Sequence, residues 1–125
     1  MMILGINITD IHIDIARTLI NKLNTNGDEL ITYSELSNQI GGFPDQRNLD
    51  MYLGDLSWIC KNYGMPLISS IVINKEEKMP GNGYFKEFFN NIKTKDERYI
   101  HWALYIKEVI NFKGWEKLQC LLNID

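Results

Sequence analysis

A helix-rich α+β domain is the fold class this 125-residue sequence predicts, a winged-helix-like unit with a small β-hairpin wing and C-terminal helices. Three observations carry that expectation. Apolar residues recur at three-to-four spacing through Asp10–Leu23 behind a capping signal. The stretch Ile31–Arg47, ITYSELSNQIGGFPDQR, reads as a short capped helix, a turn and the start of a second helix. Gly64–Phe85 then passes through β-branched residues into a Gly-rich loop, the pattern of a hairpin. Helix-turn-helix plus wing is an arrangement that docks nucleic acid.

The elements follow in order within a single domain, residues 1–125. Helix one spans about Asp10 to Leu23, with Ile11, Ile15, Leu19 and Leu23 on its apolar face and Thr9 or Asp10 as its cap. Asn24-Thr25-Asn26-Gly27 ends it. Thr32 and Glu35 form a T-x-x-E capping box that opens helix two, Tyr33–Ile40, and Gly41-Gly42 breaks it. Helix three has Pro44 near its first turn, carries Leu49, Leu53, Leu56 and Ile59 towards Asn62, and stops before Gly64. The helix-turn-helix therefore covers about 32–63 and the wing about 66–85. Within the wing, Leu67–Ile73 reads as a strand, Met79–Gly83 as a loop, and Tyr84–Ile92 as a short helix or a return strand. The C-terminal helices fall at about 95–122. The first, Asp96–Asn111, has Ile100, Leu104 and Ile106 to Ile110 on its apolar side, and the second is Trp115–Leu122.

Composition narrows the function classes. Apolar residues at 45% and charged residues at 23% are ordinary for a folded globular chain. No apolar run approaches the ~18 residues of a membrane span, and MMILGINI lacks a basic leader, so a cytoplasmic protein is expected. Cys60 and Cys120 lie far apart inside helical patterns and read as buried free thiols. The net charge of −3 is split unevenly. Residues 1–60 hold three basic and eight acidic residues, while residues 61–125 hold ten basic and eight acidic. The helix-turn-helix thus lies in the acidic half, which argues against tight nonspecific binding to duplex DNA.

No residue pattern asks for a metal or a cofactor. Asn24–Glu35 has oxygen ligands at several positions of a calcium loop, but it begins with Asn and places Glu29 where the loop needs glycine. It reads instead as a polar turn feeding a capped helix. Asp45, Asp50 and Asp55 recur at spacing five, so they do not share a helix face and read as solvated. Trp58, Trp102 and Trp115 sit in helical patterns and read as core or interface.

From Ile31 to Phe85 the chain resembles the C-terminal DNA-binding domain of alkylguanine-DNA alkyltransferases and the alkyltransferase-like proteins. The family's (I/V)-(S/T)-Y-x-x-L-A segment is matched by Ile31-Thr32-Tyr33-Ser34-Glu35-Leu36-Ser37. Its recognition-helix arginine is matched by Arg47, its P-I-P-C-H-R-V-V segment by Pro66–Ile73, and its Gly-Asn-Tyr loop by Gly81–Tyr84. The acceptor cysteine falls at Ser69 or a direct neighbour, and the segment holds no histidine, so alkyl transfer is not expected. What the resemblance implies is binding. Tyr33 takes the place of the tyrosine that works on the target phosphate, and Arg47 that of the arginine that fills the hole left by a flipped base. Lys75, Lys78 and Lys86 flank the wing and are candidates for phosphate contacts.

The reading is therefore a non-catalytic DNA-binding module, similar to the alkyltransferase-like proteins, that senses an altered or flipped base. The alternative is a small phage or mobile-element protein that inhibits or adapts a nuclease or defence protein through its acidic half.

Overall fold

Helix α1 (Asp10–Leu23) starts where Thr9 caps it. The Thr9 hydroxyl accepts from the His12 amide, while the Thr9 amide donates to His12 Nδ1 at 3.1 Å. Because Nδ1 is an acceptor, the neutral ring carries its proton on Nε2, which donates to Asp55 Oδ2 at 2.8 Å. That bond ties the start of α1 to helix α3 (Asp50–Asn62). The computed structural model describes residues 1–124, and among them six α-helices and two two-stranded sheets appear. No helix of the described residues is long and apolar enough to cross a membrane.

Helix α3 is the centre of the packing. It lies against α1, against a 3-10 turn at Ile68–Ile71, and against helix α4 (Asn82–Phe88). Leu53, Leu56, Ile59 and Cys60 of α3 are buried with Ile15, Ala16, Leu19 and Ile20 of α1. Burial pushes the Cys60 thiol up to about 12, so it stays protonated and unreactive. Helix α2 (Tyr33–Gln39) opens on the expected capping box, with Glu35 accepting from the Thr32 amide at 3.0 Å. Helices α5 (Lys95–Asn111) and α6 (Glu116–Leu121) close the domain.

Five expectations need correction. The helix-turn-helix has no tight turn, because ten residues, 40–49, separate α2 from α3. Pro44 lies in that connection, where Asp45 accepts from the Arg47 amide at 2.9 Å and caps a 3-10 turn at Gln46–Asn48. The β-hairpin wing at 66–85 is also absent. Only Val72–Ile73 (β4) is strand, and it pairs in parallel with Ile31–Thr32 (β3). Leu67–Ile71 turns instead of extending, because the two serines make local and tertiary bonds that a strand would forgo. Ser70 N–H reaches Leu67 O at 3.1 Å, and Ser69 N–H reaches the Ser57 hydroxyl at 3.0 Å. Third, Met79–Gly83 is only in part a loop, since α4 begins at Asn82.

Fourth, Ile100 and Leu104 are exposed on α5, and the buried stripe is Trp102, Ile106 and Val109. That stripe is set by what α5 covers: Trp102 Nε1–H donates to Ser70 O at 2.8 Å, and Tyr105 accepts from the Leu67 amide at 2.8 Å. Finally, Cys120 is exposed while Cys60 is buried. Of the three tryptophans, Trp102 and Trp115 are core and Trp58 is exposed. The opening MMILGINI forms a hairpin, Met2–Ile3 (β1) with Ile6–Asn7 (β2), around Leu4 and Gly5 at positive φ.

Candidate base-binding cavity and cationic groove

The parallel pairing of β3 with β4 sets the geometry of the site. Ile31 opposes Val72 and Thr32 opposes Ile73, so both chains leave the ladder at the same end. Tyr33 and Ser34 emerge from one strand beside Asn74 and Lys75 from the other. Asn74 then folds its own turn: its side-chain oxygen accepts from the Glu76 and Glu77 amides at 2.9 and 3.2 Å. The result is an open polar groove of about 760 Å³, lined by Thr32, Tyr33 and Ser34 on one side and 74–77 on the other. Arg47, from the 3-10 turn, and Lys95, from the start of α5, complete it.

Tyr33 also lines a cavity of about 250 Å³ between α3 and α4. Its floor is built from buried residues: Ser69, Leu53, Gly54 and Tyr84. Tyr33 and Phe88 are half-buried walls, and exposed Asp50, Met51 and Glu87 form the rim. Two glycines leave room for the rim carboxylates. A Cβ on Gly54 would stand 2.6 Å from a Glu87 carboxylate oxygen, and one on Gly83 would stand 2.8 Å from Asp50 Oδ2.

The hydroxyls around the floor are tightly placed. Ser57 donates to Ser69 Oγ at 2.6 Å, and Ser70 pairs with Tyr84 at 2.6 Å. Tyr33 accepts from the Gly81 amide at 2.8 Å. Burial pushes the Tyr33 hydroxyl up to about 12 and raises Tyr84 as well, so both stay neutral donors and acceptors. Asp50 is raised by desolvation. Glu87 is raised by desolvation first and then by the negative charges of Asp55 and Asp50.

Each residue singled out by sequence has a definite place. Tyr33 borders both groove and cavity, and Arg47 and Lys75 line the groove. The Arg47 side chain is 84% exposed and only 3.5 Å from Asp45, so it is free to reach outward. Ser69, at the position the resemblance pairs with an acceptor cysteine, is on the cavity floor. Lys78 follows in the turn after β4 and Lys86 is exposed on α4; neither lines the groove. Asp50 is exposed, as its solvated reading expected, and stands at the cavity rim, while Asp45 caps a turn and Asp55 holds His12.

Sequence reasoning missed Glu87 and Lys95. Lys95 sits 2.7 Å from Glu77, whose carboxylate holds the ammonium above its usual range. Lys95 opens α5 directly after Thr94 and Glu87 lies near the end of α4, and the place of each at the site depends on packing that no local pattern marks.

Chemically, the cavity can bind. The residue against Ser69 Oγ is Ser57, a hydroxyl with no basic character, and no histidine, lysine or cysteine lines the cavity. Among the described residues no group of three or more His, Cys, Asp or Glu is arranged to hold a metal ion. No family model, curated protein or solved structure matches this chain.

Proposed function

We propose that this protein is a non-catalytic DNA-binding module that takes a flipped or altered base into the cavity, in the manner of the alkyltransferase-like proteins it resembles. One observation carries the reading: Tyr33 is at once a wall of a charged groove, lined by Arg47, Lys75 and Lys95 against Glu76 and Glu77, and a wall of a cavity sized for one ring system. A groove with Arg47, Lys75 and Lys95 suits a phosphate backbone, and an adjoining pocket with hydroxyls suits a base turned out of the stack. Arg47, exposed on a short turn ahead of α3, would enter the space the base leaves.

A mobility-shift titration at low salt, on duplexes with and without an altered base, tests the reading. Binding should favour the altered duplex and fall with salt. Arg47→Ala should weaken it and lower the slope of log affinity against log salt by about 1. No shift with any duplex at low salt would end the proposal.

A second reading rests on the exposed carboxylates of the N-terminal half, with Asp10, Asp14, Asp28, Glu35 and Asp50 all at the surface. Such a face suits a protein that occupies the basic channel of a nuclease or defence protein. Capture of one specific nuclease from a host lysate, insensitive to added DNA, would favour it.

A further inference from the structure

The cavity between α3 and α4 has a composition that a neutral base would not require. Its rings are Tyr33, Tyr84 and Phe88, and its only ionisable groups other than tyrosine are Asp50 and Glu87. No cationic side chain lines it. Among the described residues neither carboxylate has an ion-pair partner, and the two share one cavity with no cation in its lining. The rim therefore holds two unpaired negative charges, and desolvation together with neighbouring carboxylates disfavours that state. A bound cation would relieve it.

Aromatic faces carry negative electrostatic potential and attract cations, most strongly where water is excluded. Rings on the walls with carboxylates at the mouth thus form a receptor for an organic cation. The volume, about 250 Å³, lies below the ~300 Å³ at which drug-sized sites begin, so it fits one ring system. At the floor, Ser69 Oγ accepts the Ser57 hydrogen and keeps its own to donate to a ring or carbonyl acceptor. Resting on the reading of the groove as the path of a DNA strand, the cation that reaches this cavity is part of a base.

We propose that the cavity selects a positively charged, ring-N-alkylated nucleobase, of the type of 1-methyladenine or 3-methylcytosine, over the neutral bases. Asp50 and Glu87 supply the countercharge, Tyr33, Tyr84 and Phe88 the cation-attracting faces, and Ser69 a directional hydroxyl. The neutral bases carry no charge for the rim to answer.

Titration of the intact protein with 1-methyladenosine, adenosine and thymidine at neutral pH, followed by calorimetry, tests this directly. The charged nucleoside should bind about tenfold more tightly than adenosine, or better. Asp50→Asn with Glu87→Gln should abolish the difference. Equal affinity for 1-methyladenosine and adenosine in the wild-type protein overturns the proposal, whether or not the double variant folds. So does tighter binding of a trimethyl-lysine peptide, which would make the cavity an ammonium cage.

The two readings fail separately. Duplex binding that depends on Arg47 without a preference for the charged nucleoside removes this inference and keeps the groove. A charged-nucleoside preference with no duplex binding keeps the cavity's specificity and removes the DNA.

Discussion

Along the groove, Arg47, Lys75 and Lys95 project from a 3-10 turn, a polar turn and a helix start, where Arg47 and Lys95 make only solvent-exposed ion pairs, with Asp45 and Glu77. In the cavity, one tyrosine away, Ser69 and Tyr84 are fixed by hydrogen bonds of 2.6 Å, and the 68–71 turn beneath them is pinned by Trp102 and Tyr105. Loose, exposed cations suit a backbone that is the same for every sequence, since such contacts position a ligand without reading it. Fixed hydroxyls and rings suit a ligand that must be told from its neighbours. On the proposed reading, affinity and discrimination belong to two regions that share Tyr33, and substitutions should separate them.

The largest effect is expected where the two regions meet. Tyr33→Ala removes a shared wall and leaves the Gly81 amide without its acceptor, which should cost roughly 2–4 kcal/mol in a denaturant titration. Tyr33→Phe keeps the ring and should cost only about 1 kcal/mol. If the two variants are equally stable, the wall is not the structural partition it is taken to be. Next in size is Thr32→Ala, which removes the capping box at the end of the β3–β4 ladder and should cost about 1 kcal/mol. Its damage belongs to the groove side, so nucleoside binding should survive it at temperatures where the protein is folded.

The smallest effect has the opposite sign. Asp50 has a higher pKa in the fold than in the unfolded chain, so the folded state binds more protons between the ordinary carboxylate value and the raised one. Stability therefore falls as pH rises through that window, and the full penalty is present above it. Asp50→Asn should raise the melting temperature near neutral pH by about a degree or two, and the gain should vanish below the ordinary carboxylate range. A loss of stability at neutral pH would mean that the carboxylate has a structural partner.

Much of the helical frame was legible because its signals are local. Thr9 with the period of Ile15, Leu19 and Leu23 marks α1 at Asp10–Leu23, and Thr32-x-x-Glu35 marks the start of α2. The β3–β4 pairing was not legible. Two residues on each side carry no periodicity, and the partners lie about forty positions apart. The turn at Ile68–Ile71 was hidden in the same way, since a run of Ile, Val and Leu reads as strand until Ser57, Tyr84 and Trp102 claim its polar groups. Within the site, Tyr33, Arg47 and Ser69 were accessible through short motifs, and Lys75 only as a flank of a wing that does not form. Asp50 and Glu87 were not, because their place on a rim depends on how closely α3 and α4 pack.

That closeness has a consequence of its own. Each rim carboxylate stands over a glycine, with Glu87 above Gly54 and Asp50 above Gly83. The place of each charge at the cavity mouth thus depends on the absence of a side chain beneath it. A methyl group at position 54 would displace the Glu87 head without altering the net charge, and one at 83 would press against the shorter, stiffer Asp50. A lineage carrying this fold would retune what the mouth admits through its smallest residues, leaving the acids themselves in place.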